Sequence, residues 1–334
     1  MIPFNRASIL GNELAYIRRA VQSGVISGEG TFVDACGRAL QHLLRTDAPV
    51  LLTPSCTDAL ELAAIVANIG EGDDVIMPSF TFVSTATAFC RRGARPVFAD
   101  VDPQFLNLDP QDVSVALTPQ TKGIVPVHYG GVGCDMQALQ QIATASGALL
   151  IEDSAHALGV PTRDKCLGTL GALGAFSFHE TKNVTCGEGG ALVVNDERFV
   201  DRAYVVRDKG TNRRTFLRGD EPFYTWVDEG SSYVMSDILA AFLLAQLEHL
   251  DETTRRRREI HARYSQGLSM LRGTGAITFP DVPLEDSSAH LFFILLNDAG
   301  TRARLQQHLR DRGIHAVFHY QPLHRSPYVE ARWG

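Results

Sequence analysis

Surplus positive charge is missing from this sequence. Its 334 residues carry 31 lysines and arginines against 38 aspartates and glutamates, a formal net charge of −7. Such a chain has little with which to neutralise a phosphate backbone, which argues against general nucleic-acid binding. Cysteines are few: the six at 36, 56, 90, 134, 166 and 186 include no CxxC pair. A disulfide framework is therefore not expected, and reduced thiols in a cytoplasm fit better. No apolar run is long enough to cross a membrane. The stretch MIPFNRASILGNEL shows no charged region followed by an apolar core, so no signal peptide is expected. Also absent are the GxxxxGK[ST] loop, the GxSxG elbow and a GxGxxG following a strand. His179-Glu180 has no second histidine four residues after the first, which removes the zinc-protease helix, and no metal site is expected.

What the sequence does contain is an alternation. Short apolar runs at Val50–Thr53, Asp74–Pro78, Pro96–Ala99, Gly123–Val127, Ala148–Glu152, Ala175–Phe178 and Ala191–Val194 read as strands. Helical patterns lie between several of them, such as Ser55–Ile69, with Leu60, Ala63, Ala64 and Ala67 on one face, and Met136–Ser146. Near-continuous apolar strands linked by helices predict an α/β fold. Its sheet should be mainly parallel, with helices on both faces and ligands at the carboxyl ends of the strands. Beyond about residue 230 the pattern changes. Ser236–Leu250 reads as an apolar helix and Asp251–Arg272 as a long charged one. A mixed tail follows, with strands at Ala276–Phe279, His290–Leu296 and His315–His319 and a helix at Thr301–Arg312. The expected organisation is a large domain over residues 1–250 and a small α+β domain over 251–334. The run Arg255-Arg256-Arg257-Arg258 follows Asp251-Glu252 in the charged helix and reads as a solvated face.

One stretch of the large domain stands out. GAFSFHETKNVTCGEGG (174–190) begins as an alternating strand, places Lys182 just beyond it and closes on glycines that let the backbone approach a neighbour. Lysine is rarely buried without a partner, and in isolation this window is equally a solvated turn. Other strand ends shift the weighing. Leu149-Leu150-Ile151 runs into Glu152-Asp153, a carboxylate where doubly wound folds place ligand contacts, although a lone aspartate there is more often a helix cap. Thr53-Pro54-Ser55-Cys56-Thr57 follows a strand and opens a helix, whose free N–H groups make either an anion site or an ordinary cap. Pro78-Ser79-Phe80-Thr81-Phe82 offers Phe82 either to a flat ring or to the core. Ser177 is a hydroxyl in an otherwise apolar strand and wants a partner. Together, a lysine, a strand-end carboxylate, a phosphate cradle and an aromatic platform suit pyridoxal 5′-phosphate (PLP). The lysine bonds to its aldehyde, the carboxylate pairs with the pyridinium nitrogen so that the ring can accept electrons, and the phosphate sits at the helix N-terminus.

The order of TPSCTDALELAA, MPSFTFVSTATAF, VPVHYGG, IEDSAHALG and FSFHETKNVTCGEGGALVVND resembles the DegT/DnrJ/EryC1/StrS family of sugar aminotransferases, and the likeness runs from Ile2 to about His324. HETKN, KGTNRRTFLRG, YTWVDEGSSYVMSD and AVFHYQPLH resemble one branch of it, the dTDP-4-amino-4,6-dideoxygalactose transaminases. The resemblance implies a fold-type I PLP enzyme with a seven-stranded sheet, acting in the cytoplasm as a homodimer whose sites are completed by the partner chain. It implies that Lys182 and Asp153 are catalytic, that His156 lies near the ring hydroxyl and that Phe82 stacks on the ring. Cys56, Thr57 and Ser177 would bind the phosphate, with Ser232 standing where many members have an asparagine. The implied reaction moves the amino group of L-glutamate to a nucleotide-linked 4-keto-6-deoxy sugar. In that branch dTDP-4-dehydro-6-deoxy-D-glucose becomes dTDP-4-amino-4,6-dideoxy-D-galactose, for cell-surface polysaccharide. Arg213, Arg214 and Arg218 are candidates for the diphosphate, each equally readable as part of a mobile surface loop, and His319, Tyr320 and His324 are candidates for the sugar, though as isolated residues they are more often structural. Relatives continue past Gly334, so the small domain is expected to be incomplete. Two rival readings belong to the same resemblance. Sugar dehydratases carry histidine at the lysine's position, which Lys182 argues against, and a non-catalytic binding or regulatory relative would have no need of both Lys182 and Asp153.

Overall fold

The computed structural model describes residues 1–333. The chain opens with α1 (Glu13–Ser23) and α2 (Thr31–Leu44) and enters the sheet at β1 (Val50–Thr53). It then alternates through α3 (Cys56–Val66), β2 (Asp74–Pro78), α4 (Val83–Cys90), β3 (Arg95–Ala99), α5 (Pro110–Ala116), β4 (Thr121–Ile124), α6 (Met136–Ser146) and β5 (Leu149–Asp153). β6 (Leu173–Ser177) and β7 (Gly190–Val194) follow, then α7 (Val200–Arg207), α8 (Arg213–Arg218), α9 (Asp237–Leu247) and the long α10 (Leu250–Gly273). The tail holds β8 (Ile277–Thr278), β9 (Leu295–Leu296), α11 (Ala299–Asp311) and α12 (Pro327–Trp333). Among the described residues no helix is long and apolar enough to cross a membrane.

β1 to β7 form one sheet in the order β1-β7-β6-β5-β4-β2-β3. β7 is antiparallel to β1 and β6, and the other pairs are parallel. The reason lies in the connections. α3, α4, α5 and α6 supply the long crossovers that parallel neighbours require, whereas β6 and β7 are joined by a loop without a helix, so the chain turns straight back. Six strands therefore end at one edge of the sheet, and β7 begins there.

Strand alternation divides the core. Leu51, Val75, Met77, Ile151, Ala175 and Leu192 are buried with α3, α4 and α7 on one face. Leu52, Phe176, Ala191 and Val193 cluster with α2 and α9, and Ile76, Ile124 and Leu150 with α5 and α6. Both faces are covered, as the unbroken apolar strands required.

The seven strands lie within a few residues of their predicted places, but the tail departs from expectation. Of its three predicted strands, only β8 and β9 pair, over two residues each, and 315–319 forms no strand. Arginines take over the start of the second of these. Arg257 Nη1 donates to the His290 carbonyl at 3.1 Å, occupying the first acceptor of the predicted strand, and Arg258 donates just ahead of it to the carbonyls of Ser287 (2.9 Å) and Glu285 (3.1 Å). The arginine run is thus only partly a solvated face. Arg255 and Arg256 pair with Glu259 and Glu252 at the surface, while Arg257 and Arg258 turn inward, and burial pulls Arg257 below its ordinary pKa. The second change comes from the other end of the chain. Ile2 pairs in parallel with Ile314: Ile2 N donates to Gly313 O at 2.7 Å and His315 N to Ile2 O at 3.0 Å. This pairing carries Phe4 against His319, ring centroids 5.9 Å apart, and lets Asn5 Nδ2 donate to the Glu180 carbonyl at 3.0 Å.

Candidate active site

The shared strand edge gathers the polar residues. Asp153 ends β5 and Ser177 ends β6, while Gly190 opens β7 opposite Ser177 and Thr53. Gly190 is required sterically, because a Cβ there would lie 2.4 Å from the Ser55 carbonyl carbon and 2.5 Å from Cys56 N. The first turn of α3 therefore sits directly over the sheet edge. Ser55 caps that helix, its Oγ accepting from Asp58 N at 3.0 Å.

Lys182 lies on the β6–β7 connection, which is tightly folded rather than a loose turn. Phe178 N donates to Gly189 O (2.8 Å), Glu180 N to Gly187 O (2.9 Å) and Lys182 N to His179 O (2.9 Å), and Val184 and Cys186 anchor the loop in the core. The Lys182 amine is partly buried and makes no hydrogen bond or ion pair among the described residues. Burial pulls it below the usual lysine pKa, against the opposing influence of Cys56 and Asp153. Asp153 is buried and held from two sides: Thr85 Oγ1 donates to Oδ2 at 2.7 Å and Ala155 N to Oδ1 at 3.2 Å. Cys56, the first residue of α3, has its thiol pushed well up by burial, so it stays neutral. Thr57 Oγ1 donates to Ser84 Oγ at 2.8 Å. The Ser177 hydroxyl is buried and accepts only a long bond, 3.4 Å, from His179 N.

Aromatic and imidazole rings wall the other side. Tyr129 is buried among Phe80 (5.0 Å between centroids), Phe293 (5.3 Å) and His156 (5.8 Å), and its hydroxyl is 3.2 Å from His319 Nδ1. His319 and Tyr320 stack at 4.4 Å. Phe82 is 59% exposed, leaving a ring face open, with Tyr320 6.4 Å away. His324 Nδ1 lies 2.7 Å from Ser79 Oγ at the end of β2.

The remaining predicted residues sit on a separate segment. Arg213 is ion-paired with Glu29 and lies 3.4 Å from Asp208. Arg214 lies flat over Tyr204, 3.6 Å from the ring centroid. Arg218 is exposed in the last turn of α8, and Ser232 is exposed and bridges Asp208. Among the described residues none of these four hydrogen-bonds to Lys182, Asp153 or His156. Two further ion pairs, Arg92–Glu229 (2.8 Å) and Arg202–Asp228 (2.8 Å), tie this segment to the body.

The profile of the DegT/DnrJ/EryC1/StrS aminotransferase family matches residues 8–333. The chain belongs to this family. It is 34% identical over 341 residues to the spore coat polysaccharide biosynthesis protein SpsC of Bacillus subtilis (strain 168), covering 100% of this chain and 86% of SpsC. Among solved structures, the aminotransferase TlmJ of Streptoalloteichus hindustanus superposes with a TM-score of 0.90 at 33% identity, over 98% of this chain and 88% of TlmJ. Spr1654 of Streptococcus pneumoniae, in its PLP form, superposes with a TM-score of 0.88 at 27% identity, over 99% of this chain and 87% of Spr1654.

In this DegT/DnrJ/EryC1/StrS chain several site residues escaped the sequence reading. Thr85 sits one helical turn after Thr81, their hydroxyls 2.9 Å apart, a spacing that could have pointed back to the same strand end. Asn183 adjoins Lys182, and Tyr129 lies within VPVHYGG. Nothing local marks His290, which arrives from beyond α10.

Acid should loosen this site. Burial, then Lys182 and the neighbouring imidazoles, holds His156 well below the usual histidine value of 6.5, and burial, Lys182, Arg257 and His319 do the same for His290. With folded pKa values depressed, the unfolded chain binds more protons below pH 6.5, so stability falls as pH falls through that value. Urea midpoints measured between about pH 7.5 and 5 should drop steadily, a window chosen to lie above ordinary carboxylate titration. A flat profile would show that these imidazoles are not held neutral.

Proposed function

We propose that this family member is a PLP-dependent transaminase that passes the amino group of L-glutamate to a nucleotide-linked 4-keto-6-deoxy sugar. The observation that carries the reading is the Lys182 amine: partly buried, unpartnered among the described residues, and sharing its pocket with the buried Asp153 carboxyl. A buried cation without a partner is costly, and such an amine is kept where covalent chemistry uses it. Spr1654 has been solved in both PLP and PMP forms, which supports the cofactor.

The residues fit that group. Lys182 would hold its aldehyde carbon, and Asp153, fixed by Thr85, its ring nitrogen. Phe82 offers an open ring face, and the Ser177 hydroxyl lies below the first turn of α3, where Cys56 and Thr57 would meet the phosphate. When bound, PLP supplies a sink for the electrons released as the donor's α-proton leaves. Lys182 would move that proton, a task suited to an amine whose pKa burial has lowered. His319, Tyr320 and His324 line the sugar side.

The substrate diphosphate would meet Arg214 and Arg218 more freely than Arg213, which Glu29 and Asp208 already neutralise. We take the active unit to be a homodimer in which Ser232 serves the partner's site. The exposed Phe216, Leu217, Phe223, Trp226 and Val227 support burial of that segment against a second copy. We assign residues 1–250 to a cofactor-binding domain and the rest to a small domain. The naming of SpsC for polysaccharide biosynthesis supports a role in making surface polysaccharide, in the cytoplasm.

Incubation with PLP, L-glutamate and dTDP-4-keto-6-deoxyglucose should yield 2-oxoglutarate and the 4-amino sugar nucleotide in equal amounts by mass spectrometry. No amination of this substrate or of other nucleotide-linked keto sugars would overturn the proposal.

A further inference from the structure

His290 and Asn183 have no part in the reaction outlined above, yet they meet at its centre. His290 is buried, and its ring lies over that of His156 with centroids 4.2 Å apart and planes at 31°. Its Nδ1 is 2.9 Å from Asn183 Oδ1. The Asn183 amide nitrogen donates to the Ser288 carbonyl at 2.8 Å, which identifies Oδ1 as the atom facing His290. His290 therefore donates from Nδ1 and keeps a lone pair on Nε2.

The facing histidine has the opposite pattern. Gly130 N donates to His156 Nδ1 at 3.2 Å, so that nitrogen accepts and the ring hydrogen resides on Nε2. Protonating Nδ1 would set two hydrogens head to head. Ser288 Oγ donates to the His156 carbonyl at 2.6 Å. Gly131 makes room for this contact: its φ is +86°, and a Cβ there would lie 1.9 Å from Ser288 Oγ. Residues 288–290 thus grip His156 by ring and carbonyl while bonding to the neighbour of Lys182. Lys182, Arg257 and His319 face the stacked pair and oppose positive charge on it.

We infer that His290 is a positioning residue: by donating to Asn183 and stacking on His156, it couples the Lys182 turn to His156 and holds that ring in place against the Gly130 N–H, which fixes it as an Nε2–H donor. The consequence for the bound cofactor rests on the PLP reading above. His156 would then offer an anionic oxygen of the ring a hydrogen-bond donor only. A His156 ring free to swing off the Gly130 N–H would lose that fixed tautomer and present a lone pair to the same oxygen for part of the time.

The test needs no variant at first. Two-bond nitrogen–proton correlation spectra of histidine-labelled protein at pH 7.5 should show His156 protonated on Nε2 and His290 on Nδ1. Finding either on the other nitrogen overturns the inference. His290→Phe keeps a ring but loses the donor, and Asn183→Ala removes the acceptor. In both, once folding is verified by circular dichroism, His156 should show averaged tautomers. PLP should bind roughly fivefold to tenfold more weakly by fluorescence quenching, the cost of losing one neutral hydrogen bond. Unchanged His156 signals and unchanged PLP affinity in both variants would also overturn it. If the wild-type tautomers are as stated but wild-type protein binds no PLP, the coupling stands and the proposed function falls.

Discussion

Replacing Lys182 by alanine should lower the rate of amino transfer by about a thousandfold or more, the loss expected if Lys182 moves the proton as proposed above. The argument starts from burial. A lysine at the surface is almost wholly protonated at neutral pH and cannot accept a proton. Lys182 sits in a pocket with His156, His290 and His319 nearby, and burial shifts it toward the neutral amine. The other three lysines, Lys122, Lys165 and Lys209, have no such setting, and Lys209 is paired with Asp208 at the surface. Borohydride reduction of the PLP-loaded protein should therefore leave the label on the peptide containing residue 182, and none in Lys182→Ala. A label on one of the other lysines, or a variant within tenfold of wild type, would sink the assignment.

The second large effect is on stability. Glu152→Ala should destabilise the fold by about 3–5 kcal/mol, lowering the thermal midpoint by about 4–7 °C in a chain of this size. Glu152 points away from Asp153, to the other face of β5, and is fully buried. Its carboxyl group accepts from the backbone N–H of Gly168 (2.7 Å), Leu170 (2.7 Å) and Gly171 (2.6 Å), and its Oε2 is 3.0 Å from His128 Nε2. Burial opposes charge on His128, while Cys134 and Glu152 draw it upward. The Cys134 amide decides between them, because it donates to Nδ1 at 3.2 Å and needs a lone pair there; the ring is neutral and donates to Glu152 from Nε2. Truncating Glu152 orphans all four donors in a dry core. The exposed pair Arg198–Asp196 gives the contrast: Asp196→Ala should cost less than about 1 kcal/mol. Differential scanning calorimetry on both variants separates the cases, and a Glu152→Ala midpoint within about 2 °C of wild type would show that the loop 168–171 re-satisfies itself with water.

The sheet was legible because each strand is bounded by its own signals. Val50–Thr53, Asp74–Pro78 and Gly190–Val194 are short apolar runs ended by proline, serine or glycine, and local periodicity suffices to find them. Lys182, Asp153, Cys56 and Ser177 could be grouped because parallel strands deliver their ends to one edge whatever their order in the sequence. His290 could not, because its place depends on contacts distant in sequence, among them Arg257 and Arg258 donating to the carbonyls of His290 and Ser287. The same arginines looked like surface charge because a helical run gives no hint of which members turn inward. Residues 315–319 looked like a strand for their alternation, but Ile314 is paired by Ile2, and no local pattern anticipates so distant a partner.

That distant pairing sets the order in which the pocket can be completed. During synthesis the chain near Ile2 precedes Ile314 by about 300 residues, an interval on the order of tens of seconds at ribosomal rates. The delay is kinetic, since the entropic cost of closing so long a loop grows only logarithmically. Until it closes, Asn5 cannot brace the carbonyl of Glu180 and Phe4 cannot flank His319. A nascent chain can thus assemble its central sheet early and still wait, with an unfinished binding cleft, for the residues around Ile314 to emerge.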